Sequence, residues 1–125
     1  MGLDSLNASM WGSTTDAAAY FSRWDGFEFT DPTRVTPMGM EIFTASWAGP
    51  DIAAFGDTIY VVCKENPEDM APAYCIHSYD GGATFSEPVV VDGMLGDNIS
   101  RFPSVAVNEE GQPLVAVTRL DSDFG

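Results

Sequence analysis

The residues of this chain that could do chemistry are few, and the densest group is SYDGGATFSEP at 78–88. Ser78, Asp80 and Thr84 place two hydroxyls and a carboxylate on one short segment, which would suit a nucleophile loop, a metal loop or a tight turn. The readings differ in what the carboxylate is free to do. Gly81 and Gly82 allow the positive φ of a sharp turn, Asp80 can accept the N–H groups that follow it, Thr84 can bond locally, and Phe85 can pack beneath. A carboxylate saturated by its own backbone is a poor acid and a poor nucleophile, so the expected role of Ser78, Asp80, Gly82, Thr84 and Phe85 is structural.

Elsewhere the carboxylates of Glu41, Asp97, Asp121 and Asp123 could serve general acid chemistry, which in glycoside hydrolysis needs a pair at a set separation. No spacing in the sequence singles out such a pair. His77 is the lone histidine and falls in mid-strand, so neither a Ser-His-Asp triad nor a zinc site is expected, and no metal or other cofactor is implied. Trp47 could stack on a sugar face, with Met38, Met40 and Phe43 near it in sequence, or pack between sheets. Cys63 and Cys75 would lie opposite each other if their strands paired about a centre at Asp69. A bridge there would close a loop of about 13 residues and stabilise an exported protein by roughly 3 kcal/mol. Two free thiols are the alternative.

The elements that must position these groups are short strands. PDIAAF from Pro50, TIYVVCKE from Thr58, APAYCIHS from Ala71 and FSEPVVVD from Phe85 are rich in β-branched and aromatic residues and are separated by turn signals. They describe a four-stranded antiparallel meander over 50–92. The same order recurs in pieces. FPSVAVNEEGQPLVAV, opening the unit 102–120, repeats the first two strands, aligning Pro103 with Pro50 and Ala106 with Ala53. AAAYFSRWDGFEFTDPTRV, opening the unit 17–37, repeats the last two, aligning Tyr20 with Tyr74 and Asp25-Gly26 with Asp80-Gly81. A repeat of that length, with strands apolar on both faces, predicts an all-β chain of propeller blades: a half blade, a whole blade and a half blade. A closed two-sheet sandwich is the competing fold.

The segment at 78–85 resembles the Asp-box, Ser-x-Asp-x-Gly-x-Thr-Phe/Trp, of sialidases and other propellers with bacterial neuraminidase repeats. The stretch at 22–29 resembles a degenerate copy that keeps Asp25, Gly26 and an aromatic. The resemblance covers about two blades and implies a peripheral, structural turn between third and fourth strands. It also implies that substrate meets the other end, formed by the 38–49, 66–71 and 92–102 connections. Arg101, in SRFPSVAV, resembles the Arg-Ile-Pro motif whose arginine holds a substrate carboxylate, a task suited to the planar guanidinium fork. The implied function is part of a sialidase-like glycoside hydrolase acting on glycans. The alternative is a non-catalytic module that binds glycan or protein.

The net charge of −14, with 19 acidic residues against Arg23, Arg34, Lys64, Arg101 and Arg119, argues against nucleic acid and against anionic membranes as partners. No run is long and apolar enough to cross a membrane, and MGLDSLNASM lacks the basic start and apolar core of a signal peptide. An extracellular or periplasmic location is expected from the possible disulfide and the resemblance. Because the units are cut in mid-blade, the expected partners are the remaining blades of a longer chain or other copies in a homo-oligomeric ring, most simply a trimer.

Overall fold

The computed structural model describes residues 2–3, 8–12, 18–44, 49–66, 72–91 and 100–119. Those residues form ten β-strands in three antiparallel sheets, with no helix among them. The middle sheet is a meander of β5 (Asp51–Phe55), β6 (Thr58–Lys64), β7 (Ala73–Ser78) and β8 (Val89–Val90) in sequential order. It matches the expected 50–92 unit strand for strand. β9 (Ser100–Val107) and β10 (Pro113–Arg119) form the hairpin expected over 102–120.

The first sheet extends the sequence reading. The expected pair over 17–37 is β3 (Ala19–Arg23) and β4 (Thr33–Arg34), but β1 (Gly2–Leu3) and β2 (Ala8–Gly12) add to it, so this sheet also has four strands. The half unit is thus completed by the chain's own N-terminal segment rather than by a neighbour. Periodicity missed β1 because two residues carry no alternation and β2 because ASMWG has no β-branched residue, and the backbone ladders from β1 through β2 to β3 supply the order instead.

Within the middle sheet β6 is buried on both faces, as its unalternating sequence requires. Five consecutive β6 residues, Ile59 to Cys63, are buried. Register decides which face each one serves. Ile52 opposes Val61, Ala54 opposes Ile59, Val61 opposes Ile76 and Cys63 opposes Tyr74, so these residues share a face. That face packs on Ala19, Phe21, Val35, Met40 and Ile42 to form the main core. The other face, with Asp51, Ala53, Phe55 and Tyr60, lies against β9. There Tyr60 Oη donates to the Gly111 carbonyl at 3.1 Å, and the Val105 N–H donates to Asp51 Oδ2 at 3.1 Å.

The register also corrects the expected disulfide. Cys63 faces Tyr74 and Cys75 faces Val62, a slip of one residue from pairing about Asp69. Because side chains alternate, one residue of slip puts the two sulfurs on opposite faces of the sheet, and both thiols are free. The bridge therefore lends no support to export. No helix among the described residues is long and apolar enough to cross a membrane.

Candidate functional site

The turns joining β3 to β4, β5 to β6, β7 to β8 and β9 to β10 gather at one end of the molecule. Contacts between them fix this: the Gly81 N–H donates to the Asp57 carbonyl at 2.9 Å, and Arg23 Nη1 reaches the Gly81 carbonyl at 3.4 Å. The 78–85 turn is closed on itself. Ser78 Oγ donates to Asp80 Oδ1 at 2.7 Å and accepts the Gly82 N–H at 2.9 Å. Thr84 gives Asp80 both its N–H, at 2.9 Å, and its hydroxyl, at 2.6 Å. The Thr84 hydroxyl and N–H, with Ser78, hold the Asp80 carboxyl well below the usual carboxylate range. It stays ionised and occupied, which suits a turn and not proton transfer.

The turn between β3 and β4 achieves the same end with different residues. Asp25 Oδ1 accepts the N–H groups of Phe27 and Glu28, each at 2.9 Å, and its carboxyl too is held low by those backbone donors, Glu28 foremost. Sequence reasoning found no counterpart there to Thr84 and overlooked Thr30. Thr30 Oγ1 accepts the Arg23 N–H at 3.0 Å, just as Ser86 Oγ accepts the His77 N–H at 3.0 Å in the later turn. A hydroxyl just beyond the aromatic of each turn, Phe29 or Phe85, is the signal that could have revealed the pair. In the third sheet Asn108 Oδ1 captures the N–H groups of Glu110 and Gln112, each at 2.9 Å.

At the opposite end lie the described parts of the connections expected to face ligand, 38–44, 66 and 100–102, while 45–48, 67–71 and 92–99 lie outside the described residues. Glu41 is exposed there, on a segment that continues the edge of the middle sheet beyond β5. Ile42 bridges to Glu65, Phe43 N–H donates to the Lys64 carbonyl, and Asn66 donates from its backbone to Glu41 and from its side chain to Ile42. Arg101 lies at this end too, in β9 opposite Thr118 and beside a register shift in the ladder. Trp47, Asp97, Asp121 and Asp123 lie outside the described residues. His77 is half-buried in β7 and stacked on Tyr79, with ring centroids 4.4 Å apart.

One pairing at this end escaped the sequence: Tyr74 Oη donates to Glu65 Oε1 at 3.2 Å. A phenol hydrogen-bonded to a carboxylate is a nucleophile beside a base, although Tyr74 also packs on the core. Nothing in the spacing of Glu65 and Tyr74 announces the contact, since the β6–β7 register sets it. Among the described residues no group of three or more His, Cys, Asp or Glu is placed to hold a metal ion. No protein-family model, curated protein or solved structure matches this chain.

Proposed function

We propose that the three sheets are successive blades of a sialidase-like Asp-box propeller, and that the protein forms part of a glycoside hydrolase acting on sialylated glycans. The observation that carries this reading is the self-saturated 78–85 turn on a four-stranded meander whose β6 strand is buried on both faces. A carboxylate spent on its own turn needs the ligand chemistry to lie elsewhere, and the other end offers Arg101, Glu41 and the Tyr74–Glu65 pair. Arg101 would hold an acidic sugar through its guanidinium fork. The Tyr74 phenol would attack the anomeric carbon as its proton passes to Glu65, the glycosidic C–O bond would break with the departing oxygen taking a proton from water, and a second water would then release the sugar from Tyr74.

A second reading, a non-catalytic glycan- or protein-binding module, is favoured by the engaged carboxylates. Asp51 accepts a backbone N–H and Glu65 a phenol, which leaves Glu41 without a matched partner among the described carboxylates at this end. Fluorogenic sialoside hydrolysis and binding to immobilised sialylated and desialylated glycans separate the readings. Hydrolysis lost in Arg101→Ala and Tyr74→Phe but kept in Asp80→Ala supports the enzyme. Binding without hydrolysis, weakened by Arg101→Ala, supports the module. Neither binding nor hydrolysis by folded protein refutes both.

A further inference from the structure

The first two sheets pack through Phe21, and beside that contact, at the turn end, a groove of about 340 Å³ lies between the β3–β4 hairpin and the 80–83 turn. Its walls come from two described sheets, so it needs no further sheet to form. The volume falls at the low end of the range for small-molecule sites, about 300–1,000 Å³. Phe21 and Ala83 line it with apolar surface, and Arg23, Asp31, Thr33 and Asp80 line it with polar groups.

The polar groups differ in what they have left to offer. Asp80 is spent on Ser78 and Thr84, so it contributes a fixed negative charge and little more. Arg23 is laid against the turn, where its Nη1 donates to the Gly81 carbonyl at 3.4 Å. Gly81 permits this approach, since a Cβ at that position would stand 2.9 Å from Nη1. A guanidinium has five N–H donors, and among the described residues this one uses a single donor, on a carbonyl. Although the chain holds 19 acidic residues against five basic ones, Arg23 has no carboxylate partner among the described residues. The side chains of Asp31 and Thr33 likewise make no hydrogen bond there.

Charge then selects the ligand class. Asp31 and Asp80 repel an anion, and the Arg23 guanidinium repels a cation. What remains is a neutral molecule that donates and accepts at adjacent positions. Vicinal hydroxyls do both: the guanidinium fork donates to two neighbouring oxygens, a carboxylate accepts from two neighbouring O–H groups, and a threonine hydroxyl does either. The C–H face of a sugar ring suits the apolar lining. We propose that this groove binds a neutral sugar ring, with Arg23 and Asp31 holding its vicinal hydroxyls. The site lies at the opposite end from Arg101 and uses neither Arg101 nor Tyr74, so it stands or falls apart from the hydrolase reading.

The test is titration of the isotope-labelled 125-residue chain with glucose, galactose, mannose and lactose, followed by amide chemical shifts, with N-acetylneuraminate as the anionic comparison. At least one neutral sugar should shift the amides of 30–33 and 80–83 with a dissociation constant of about 1–10 mM, and N-acetylneuraminate should bind there more weakly. Asp31→Ala removes an exposed carboxylate, and Arg23→Lys keeps the charge but loses the fork; each should weaken binding at least about fivefold. If circular dichroism shows Arg23→Lys unfolded, Asp31→Ala alone decides. No shift in the groove with any neutral sugar, shifts confined to 41–43 and 65–66, or unchanged affinity in the folded variants overturns the proposal. Tighter binding of N-acetylneuraminate in the groove than of every neutral sugar overturns it as well.

Discussion

Gly82 lies against the ring of Phe21, so that a Cβ at position 82 would overlap the ring edge. The contact joins the 78–85 turn to the first sheet, and Phe85 meets the same ring edge-on with centroids 5.7 Å apart. Two demands thus fall on one residue: Gly82 has φ +96°, and it has no room for a side chain.

Gly82→Ala should therefore cost more than a turn glycine usually does. Backbone strain of about 1–3 kcal/mol and overpacking of similar size should both appear in a urea melt. Gly26→Ala is the control, because Gly26 has φ +106° but open space around it, so only the strain should register. Equal losses in the two variants would show that Phe21 yields freely.

Ser78→Ala should destabilise the fold by about 1–3 kcal/mol, because Ser78 is buried and its loss strands the buried N–H of Gly82. Sialoside binding by the folded variant should be unchanged. A defect in it at wild-type stability would place the turn in the sialoside site.

The acid limb of stability should carry the signature of Asp80 and Asp25. Both carboxyls are depressed in the folded state by hydrogen bonds, from the Thr84 hydroxyl first for Asp80 and from the Glu28 N–H first for Asp25. A depressed carboxyl contributes stability that is complete above its unfolded pKa of about 3.9 and is lost as pH falls toward the folded value. The urea midpoint should therefore fall below about pH 4. In Asp80→Asn the fall should be shallower from a lower start, and an equally steep fall in that variant would remove Asp80 from the account.

The two thiols should behave independently. Burial pushes the Cys63 thiol up to about 12, while Cys75 is half-buried and raised less far by the same cause. A thiol reagent near neutral pH should label Cys75 first and Cys63 only on unfolding. Intact mass after mild oxidation should show no intramolecular bridge, and a loss of two hydrogens would mean the strands can slip register.

Much of the local structure was legible in the sequence, because its causes are local. The 50–92 strands follow from β-branched runs bounded by Gly and Pro. The closure of the 78–85 turn follows from a Ser, an Asp and a Thr whose side chains bond within four residues. The repeat aligns Tyr20 with Tyr74 and Ala106 with Ala53 from residue order alone. Tertiary structure decided what depends on partners far along the chain. The β6–β7 register separated Cys63 from Cys75, since the packing of Val61 and Ile76 on the first sheet, not spacing, chose the pairing. It also decided that β1 and β2 complete the first sheet, and that Glu65 meets Tyr74. Alternation tells a strand which residues share a face, but only the neighbouring sheet determines which face is inside.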